Sequence, residues 1–459
     1  MYDTIISGGT VVDGSGSPRF QADIAIIDDR IAGVGDFSGQ DAKNSIDASG
    51  CLVTPGWVDV HTHYDGQATW DPILAPSSWH GVTTVVMGNC GVGFAPVRPG
   101  SEQFLIELME GVEDIPGTAL AEGIDWQWET FPQYLDALEK MPRAIDVATH
   151  VPHAAVRAYV MGEHCNTDAL PTSDEVEQMA RIVKEGIAAG ALGFSTSRTL
   201  LHKDVHGVDV PGTHAPKEEM LALGMALKGF DHGVFELVSD HLGEPEERAW
   251  VMEVARATGR PVTLVWTSQD AFKDDNFIEL ARSGADEGLK ILPQVAGRPT
   301  GILHGLQSSF HVFVAHPTWY TDIAPLPFEE RLEKLQDPAV RASMLAEQSG
   351  MENSPFGVSW PELLWQVFPL GIKPNYEPTR EESVAGLAEA QGRDSFEVMY
   401  DLLVADGGKE LFYQPLNAYE QYDFRFFEKI LEDPDALFGL SDGGAHCGII
   451  AMLACPRLF

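Results

Sequence analysis

Gly56-Trp-Val-Asp-Val-His-Thr-His63 reads as a strand that ends on two histidines one residue apart. Side chains two apart on a strand point to the same face, so His61 and His63 can grip one metal ion together. The rest of the chain reads as the wall built around that pair.

Working outward, short apolar runs that end in polar residues alternate with helix-length segments. Thr83–Met87 leads to Gly88-Asn-Cys-Gly91, and Ile145–Thr149 leads to His150. Ala191–Phe194 leads to Ser195-Thr-Ser-Arg198, and Gly233–Ser239 leads to Asp240 and His241. Pro261–Trp266 leads to Thr267-Ser-Gln269, Lys290–Val295 to Ala296-Gly-Arg298, and Leu437–Leu440 to Ser441-Asp442. With the first strand these make eight. "SDEVEQMARIVKEGIAAGA" carries a Ser173 cap, acids in its first turn and apolar residues at spacings of three and four, so it reads as a helix. "EPEERAWVMEVARATGR" reads the same way. Strand and helix alternating eight times predict the α/β class and a (β/α)8 TIM-type barrel over residues 55–459. Residues 2–54 read as a small separate β-layer with a hairpin turn at Asp28-Asp29-Arg30. Two insertions, at about 97–142 and 299–436, belong over the C-terminal mouth of the barrel, where substrates are chosen.

The formal charge of −39, from 69 acidic residues against 30 Lys plus Arg, argues against nucleic acid and anionic membranes as partners. Five scattered cysteines form no disulfide framework, which favours a reducing compartment. The N-terminus lacks a signal-peptide pattern, and no apolar run approaches the roughly 18 residues of a membrane span. The expectation is a cytoplasmic protein acting on a small molecule. The sequence says nothing of oligomeric state.

Catalytic groups of such barrels sit at the C-terminal ends of the strands. That filter selects His61, His63, Cys90, His150, Arg198, Asp240, His241, Arg298 and Asp442. Closure makes the first and eighth strands neighbours, so Asp442 can touch a metal held by the histidine pair. It can also take a proton from a water that the metal has acidified to a pKa of roughly 7.

The runs "ISGGTVVDGSG", "VTPGWVDVHTHYD", "GVTTVVMGNCGVGFAP", "GALGFSTS" and "LFGLSDGGAH" together resemble the amidohydrolase superfamily, and within it the N-acyl-D-amino-acid deacylase (D-aminoacylase) branch. The resemblance implies hydrolysis of a non-peptide amide C–N bond, of an N-acyl-D-amino acid or a related acylated amine, by a metal-activated hydroxide. It implies His61, His63, Cys90 and Asp442 as ligands of one zinc, with Asp442 as general base and acid, and leaves a second zinc open. Three departures stand out. The family's histidines after strands five and six are absent, and Glu236, Asp240 or His241 are the candidate replacements. Its carboxylate-binding lysine and tyrosine are also absent, so Arg198, Arg298 and His150 are the candidate substrate contacts. The chain stops at Phe459, before the family's last barrel helix and the strands that complete a small β-sandwich, so residues 1–54 are expected to expose an edge and an apolar face. The rival expectations are an inactive barrel serving as a binding or scaffold protein, and a one-metal cyclic-amide hydrolase or deaminase.

Overall fold

The computed structural model describes residues 1–166, 170–266, 276–347, 359–448 and 450–452, the last in backbone only. Thr267-Ser-Gln269, at the end of the sixth strand, lie outside the described residues. The chain divides into two units, Met1–Trp57 and Val58–Phe459.

The first unit is a five-stranded sheet. Tyr2–Val11 runs antiparallel to Phe20–Ile27, which turns back into Arg30–Gly35. Ile27 pairs with Arg30, so the loop is the two residues Asp28-Asp29, and Asp28 takes the positive φ (52°) that such hairpins demand. Ala42–Asp47 and Leu52–Val53 add in parallel to the first strand. Ile31, Val34, Ile46 and Leu52 of this sheet are exposed.

The second unit is built on parallel strands Val82–Met87, Asp146–Pro152, Gly193–Arg198, Val234–Ser239, Val262–Val265, Ile291–Ala296 and Leu437–Gly443, paired in that order. The remaining strand, first in chain order, is the Gly56–His63 stretch. It is broken at Val60 into Trp57–Asp59, which pairs with Val82–Met87, and His61–Thr62, which pairs with Leu437–Gly443. The Val60 N–H donates to the Gly439 carbonyl (3.0 Å) and the His63 N–H to the Gly443 carbonyl (2.8 Å). The sheet therefore closes on itself as the predicted (β/α)8 barrel. Strands such as Phe194–Ser197 and Phe235–Ser239 are buried on both faces, as parallel strands under helices must be.

The helix Ser173–Ala189 is present, but its cap is Thr172 and not Ser173. Thr172 stands three residues before Glu175, so the two close a capping box, and Ser173 becomes the first helical residue. Met179, Val183 and Ile187, four residues apart, form its buried stripe.

Neither insertion is mere loop. Residues 97–142 hold the helices Glu102–Glu113, Gly117–Gly123 and Phe131–Lys140. Trp126 and Trp128 pack into the barrel's core, where the Trp128 indole donates to the Phe94 carbonyl (2.8 Å) and meets the Tyr134 ring at a 55° tilt. The second insertion has its own core around Phe313, Met344, Tyr400 and Phe412. In its sheet, Gly301–Gly305 lies between Leu411–Pro415 and Ile450–Met452, and Phe368–Pro369 pairs with Leu411–Pro415. Its Pro and aromatic content reads as irregular in sequence because the apolar residues serve this separate core.

Candidate metal centre and active site

His61 and His63 leave the first strand fully buried. The His61 Nε2 lies 3.3 Å from the Cys90 sulfur and 3.7 Å from Asp442 Oδ1. The His63 Nε2 lies 3.1 Å from the same Asp442 oxygen. Cys90 reaches this position through the turn Gly88-Asn-Cys-Gly91. Gly88 has φ +73°, and a Cβ on it would fall 2.5 Å from the His150 carbonyl oxygen, so only glycine passes here. Asn89 ties the turn down by donating to the Thr62 and Val86 carbonyls, and Cys90 itself is held at φ 55°. Asp442 too has positive φ (58°), at the end of the eighth strand. Two non-glycine residues in this region at one site are local strain of the kind functional sites store.

The ligand atoms of His61, His63 and Cys90 lie within 4.8 Å of one another, and so do those of His63, Glu113 and Asp442. Both nitrogens of His63, Glu113 Oε1 and Glu236 Oε1 are buried without a hydrogen bond. Among the described residues the ion-pair partners of Asp442 and Glu113 are histidines only. Unsatisfied imidazole and carboxylate groups converging beside a buried thiol, with no lysine or arginine to neutralise them, suit a zinc-like cation.

Burial pushes the Cys90 thiol well above its ordinary value, and the carboxylates of Glu236, Glu113 and Asp442 add to this, so a thiolate here needs a cation beside it. Burial and His63 lower His61 to about 4. Burial also opposes charge on His63, but Glu113 and Asp442 outweigh it and raise His63 to about 9. Burial works against ionised Asp442 as well, yet His446 and His63 hold it well below the usual carboxylate range.

The other sequence candidates are dispersed. Glu236 does enter: it is fully buried on strand five, its Oε2 accepts the Cys90 N–H (3.1 Å), its Oε1 lies 4.0 Å from His61 Nδ1, and burial raises it to about 8. Asp240 and His241 do not join the cluster. Asp240 is exposed and accepts the Leu200 N–H, while His241 pairs with Glu244, because both lie beyond the inward-facing end of the strand. Arg198 turns to Glu247 (2.8 Å) and the Ala215 carbonyl, so its guanidinium is already committed. Arg298 stacks on Tyr376, 4.5 Å from the ring centre. His150 is buried with an unpartnered Nδ1, and burial together with His61 lowers it to about 3.

Three residues at the site escaped the sequence reading. Gln294 Oε1 accepts from His61 Nδ1 at 2.7 Å, which fixes the Nδ1–H tautomer. His202 bonds Ser197 through Nδ1 (2.9 Å), and burial together with His63 lowers it to about 3. Glu113 ends the helix Glu102–Glu113, with Oε1 3.3 Å from His63 Nδ1. Gln294 alone had a signal, its place at the end of strand seven.

Residues 44–453 match the amidohydrolase family. D-aminoacylase of Alcaligenes xylosoxydans xylosoxydans is 32% identical over 308 residues, covering 64% of this chain and 58% of that protein. N-acyl-D-glutamate deacylase of the same organism is 36% identical over 195 residues, 42% of this chain and 37% of that one. The alignments thus span about half the length of these relatives or less. The solved N-acyl-D-glutamate deacylase of Bordetella bronchiseptica, complexed with zinc and a phosphonate inhibitor, shares the fold: TM-score 0.56 at 23% identity, over 96% of this chain and 76% of that one. Barrel, buried histidine pair and sequence match agree, and the chain belongs to the amidohydrolase family.

Proposed function

We propose that this chain is a metal-dependent hydrolase of a non-peptide C–N bond, acting on an N-acyl amino acid of D configuration or a related acylated amine. The observation that carries the reading is the convergence of His61, His63, Cys90 and Asp442 at the C-terminal end of the barrel, with both His63 nitrogens buried and without a hydrogen bond. These four residues would hold one zinc, which when bound acts as a Lewis acid on the scissile carbonyl and on a water. Asp442 stands with Oδ1 toward both histidines and Oδ2 toward His446 Nε2 (3.2 Å). It is held ionised, so it can accept a proton from the attacking water and return it to the departing amine. Gln294 keeps the His61 ring in the tautomer that offers Nε2 to the site. Arg298, stacked on Tyr376 and without an ion pair among the described residues, is our candidate for a substrate carboxylate. The relatives named for D-amino-acid deacylation support the substrate class.

The test is zinc content by elemental analysis, followed by amine release from N-acetyl-D- and N-acetyl-L-amino acids, ring opening of a hydantoin and ammonia release from adenine, with zinc-free and zinc-loaded protein. Zinc-dependent release from the acyl amino acids, D over L, is expected. Full zinc with no turnover of any amide would leave an inactive barrel, and turnover of the ring substrates alone would point to the deaminase alternative.

A further inference from the structure

We propose that Glu113, carried in by the first insertion, is the positioning carboxylate of His63: it holds the ring's Nδ1 so that Nε2 faces Asp442, and thereby sets the zinc affinity of the centre. The inference rests on the metal-centre reading above.

The two histidines have a side-chain oxygen behind the ring in matching positions. The His61 Nδ1 meets Gln294 Oε1 at 2.7 Å while its Nε2 faces the Cys90 sulfur at 3.3 Å. The His63 Nδ1 meets Glu113 Oε1 at 3.3 Å while its Nε2 faces Asp442 Oδ1 at 3.1 Å. Each ring thus has an oxygen beside one nitrogen, hydrogen-bonded at His61 and at ion-pair distance without a hydrogen bond at His63, and the other nitrogen toward the shared space. Metal-binding histidines need such an acceptor behind them, because it fixes tautomer and orientation and raises the basicity of the ligating nitrogen. A carboxylate does this more strongly than an amide.

Glu113 is rigidly placed for the task. It is 2% exposed and ends its helix, where Asp114 takes φ 51°. The His446 N–H donates to the Glu113 carbonyl, the Cys447 N–H to the Asp114 carbonyl (3.1 Å) and the Gly448 N–H to Asp114 Oδ2 (2.9 Å). The helix end is therefore stapled to the segment that follows Asp442, and Glu113 Oε2 lies 3.8 Å from His446 Nε2. One insertion helix sets the backing of His63 and the path of the Asp442 loop together.

The experiment compares the full chain with Glu113→Gln and Glu113→Ala. Zinc affinity is measured by competition with a chromophoric chelator, the visible spectrum is recorded on cobalt-substituted protein, and thermal unfolding is followed without metal. Glu113→Ala is expected to weaken zinc binding by about 10–100-fold. Glu113→Gln should fall between it and the parent, with an unchanged cobalt coordination number and an unchanged metal-free Tm. If Glu113→Ala does not fold, the isosteric Gln variant decides. Zinc affinity within about twofold of the parent in the Gln variant, or in both where both fold, overturns the proposal. So does a cobalt spectrum showing one ligand fewer, since Glu113 would then bind the metal itself. A parent chain that binds no zinc overturns both this inference and the reading beneath it. Zinc-dependent turnover with indifferent Glu113 variants overturns this inference alone.

Discussion

Asp442→Asn isolates proton transfer from metal binding. The side chain keeps its shape, and an amide oxygen can occupy the place of Oδ1, 3.1 Å from His63 Nε2 and 3.7 Å from His61 Nε2. The NH2 then stands where Oδ2 now faces His446 Nε2 at 3.2 Å. An amide cannot accept a proton at neutral pH, so both the step that activates water and the step that protonates the leaving amine lose their partner. General acid–base groups contribute about 10²–10⁴ in rate. Because one carboxyl serves two steps here, the upper half of that range is expected, about 10³–10⁴ in kcat, or roughly 4–5.5 kcal/mol. Zinc should weaken only modestly, since His61, His63 and Cys90 are untouched. The assay is amine release at saturating substrate and zinc, with metal stoichiometry determined on the same sample. A fully loaded Asp442→Asn protein that keeps more than about a tenth of the parent kcat would refute Asp442 as the proton carrier.

Gly88→Ala must place a methyl 2.5 Å from the His150 carbonyl oxygen and 2.9 Å from Thr149 Oγ1 at φ +73°. Left-handed backbone and overpacking together predict a loss of about 2–5 kcal/mol, read as a drop in urea midpoint; an unchanged midpoint would sink the close-approach argument. In the second insertion, burial and the nearby His304 and His316 lower His311 to about 3. Its Nδ1 accepts the Phe313 N–H and its ring meets Trp319 edge-on, so it folds neutral. Unfolded, it would titrate near its ordinary 6.5. Between that value and about 3 the unfolded chain binds more protons, so stability falls as pH falls through that window and is regained above it. From pH 6 to 5 this one group costs about 1 kcal/mol. The neutral variant His311→Leu should show a urea-unfolding free energy less steep in pH by that amount, and an identical slope would count against a neutral His311.

The barrel was legible because its signal is periodic. Each strand is a short apolar run ending in polar residues, and a parallel strand buried on both faces has to look like that. The convergence of His61, His63 and Asp442 was legible for the same reason: they stand at or beside strand ends, and closure of the barrel brings the first and eighth strands together. Cys90 lies three residues past Met87 and comes back through its turn, whereas other residues past a strand end do not. Asp240 and His241 follow Ser239 closely in sequence, but by then the chain has left the sheet, and they bond Leu200 and Glu244. Glu236, inside the strand, is the acid that reaches Cys90.

Arg198 and Glu113 mark the limit from opposite sides. Arg198 sits at a strand end, where the filter expects function, and is neutralised by Glu247 from the helix Pro245–Thr258, a pairing that no local pattern announces. Glu113 sits 50 residues from His63, at the end of an inserted helix whose amphipathic pattern explains Leu105, Leu108, Met109 and Val112 and says nothing special of its last acid. Its neighbourhood is set by the stapling of Asp114 to Gly448, a contact across 334 residues of sequence. Strand periodicity identifies groups that the sheet itself delivers to the barrel mouth. Groups delivered by an insertion depend on where that insertion docks, and docking is decided by tertiary hydrogen bonds and burial. The acceptor behind His61 came from the sheet and the acceptor behind His63 came from the insertion, so a reading by strand ends could reach Gln294 but not Glu113.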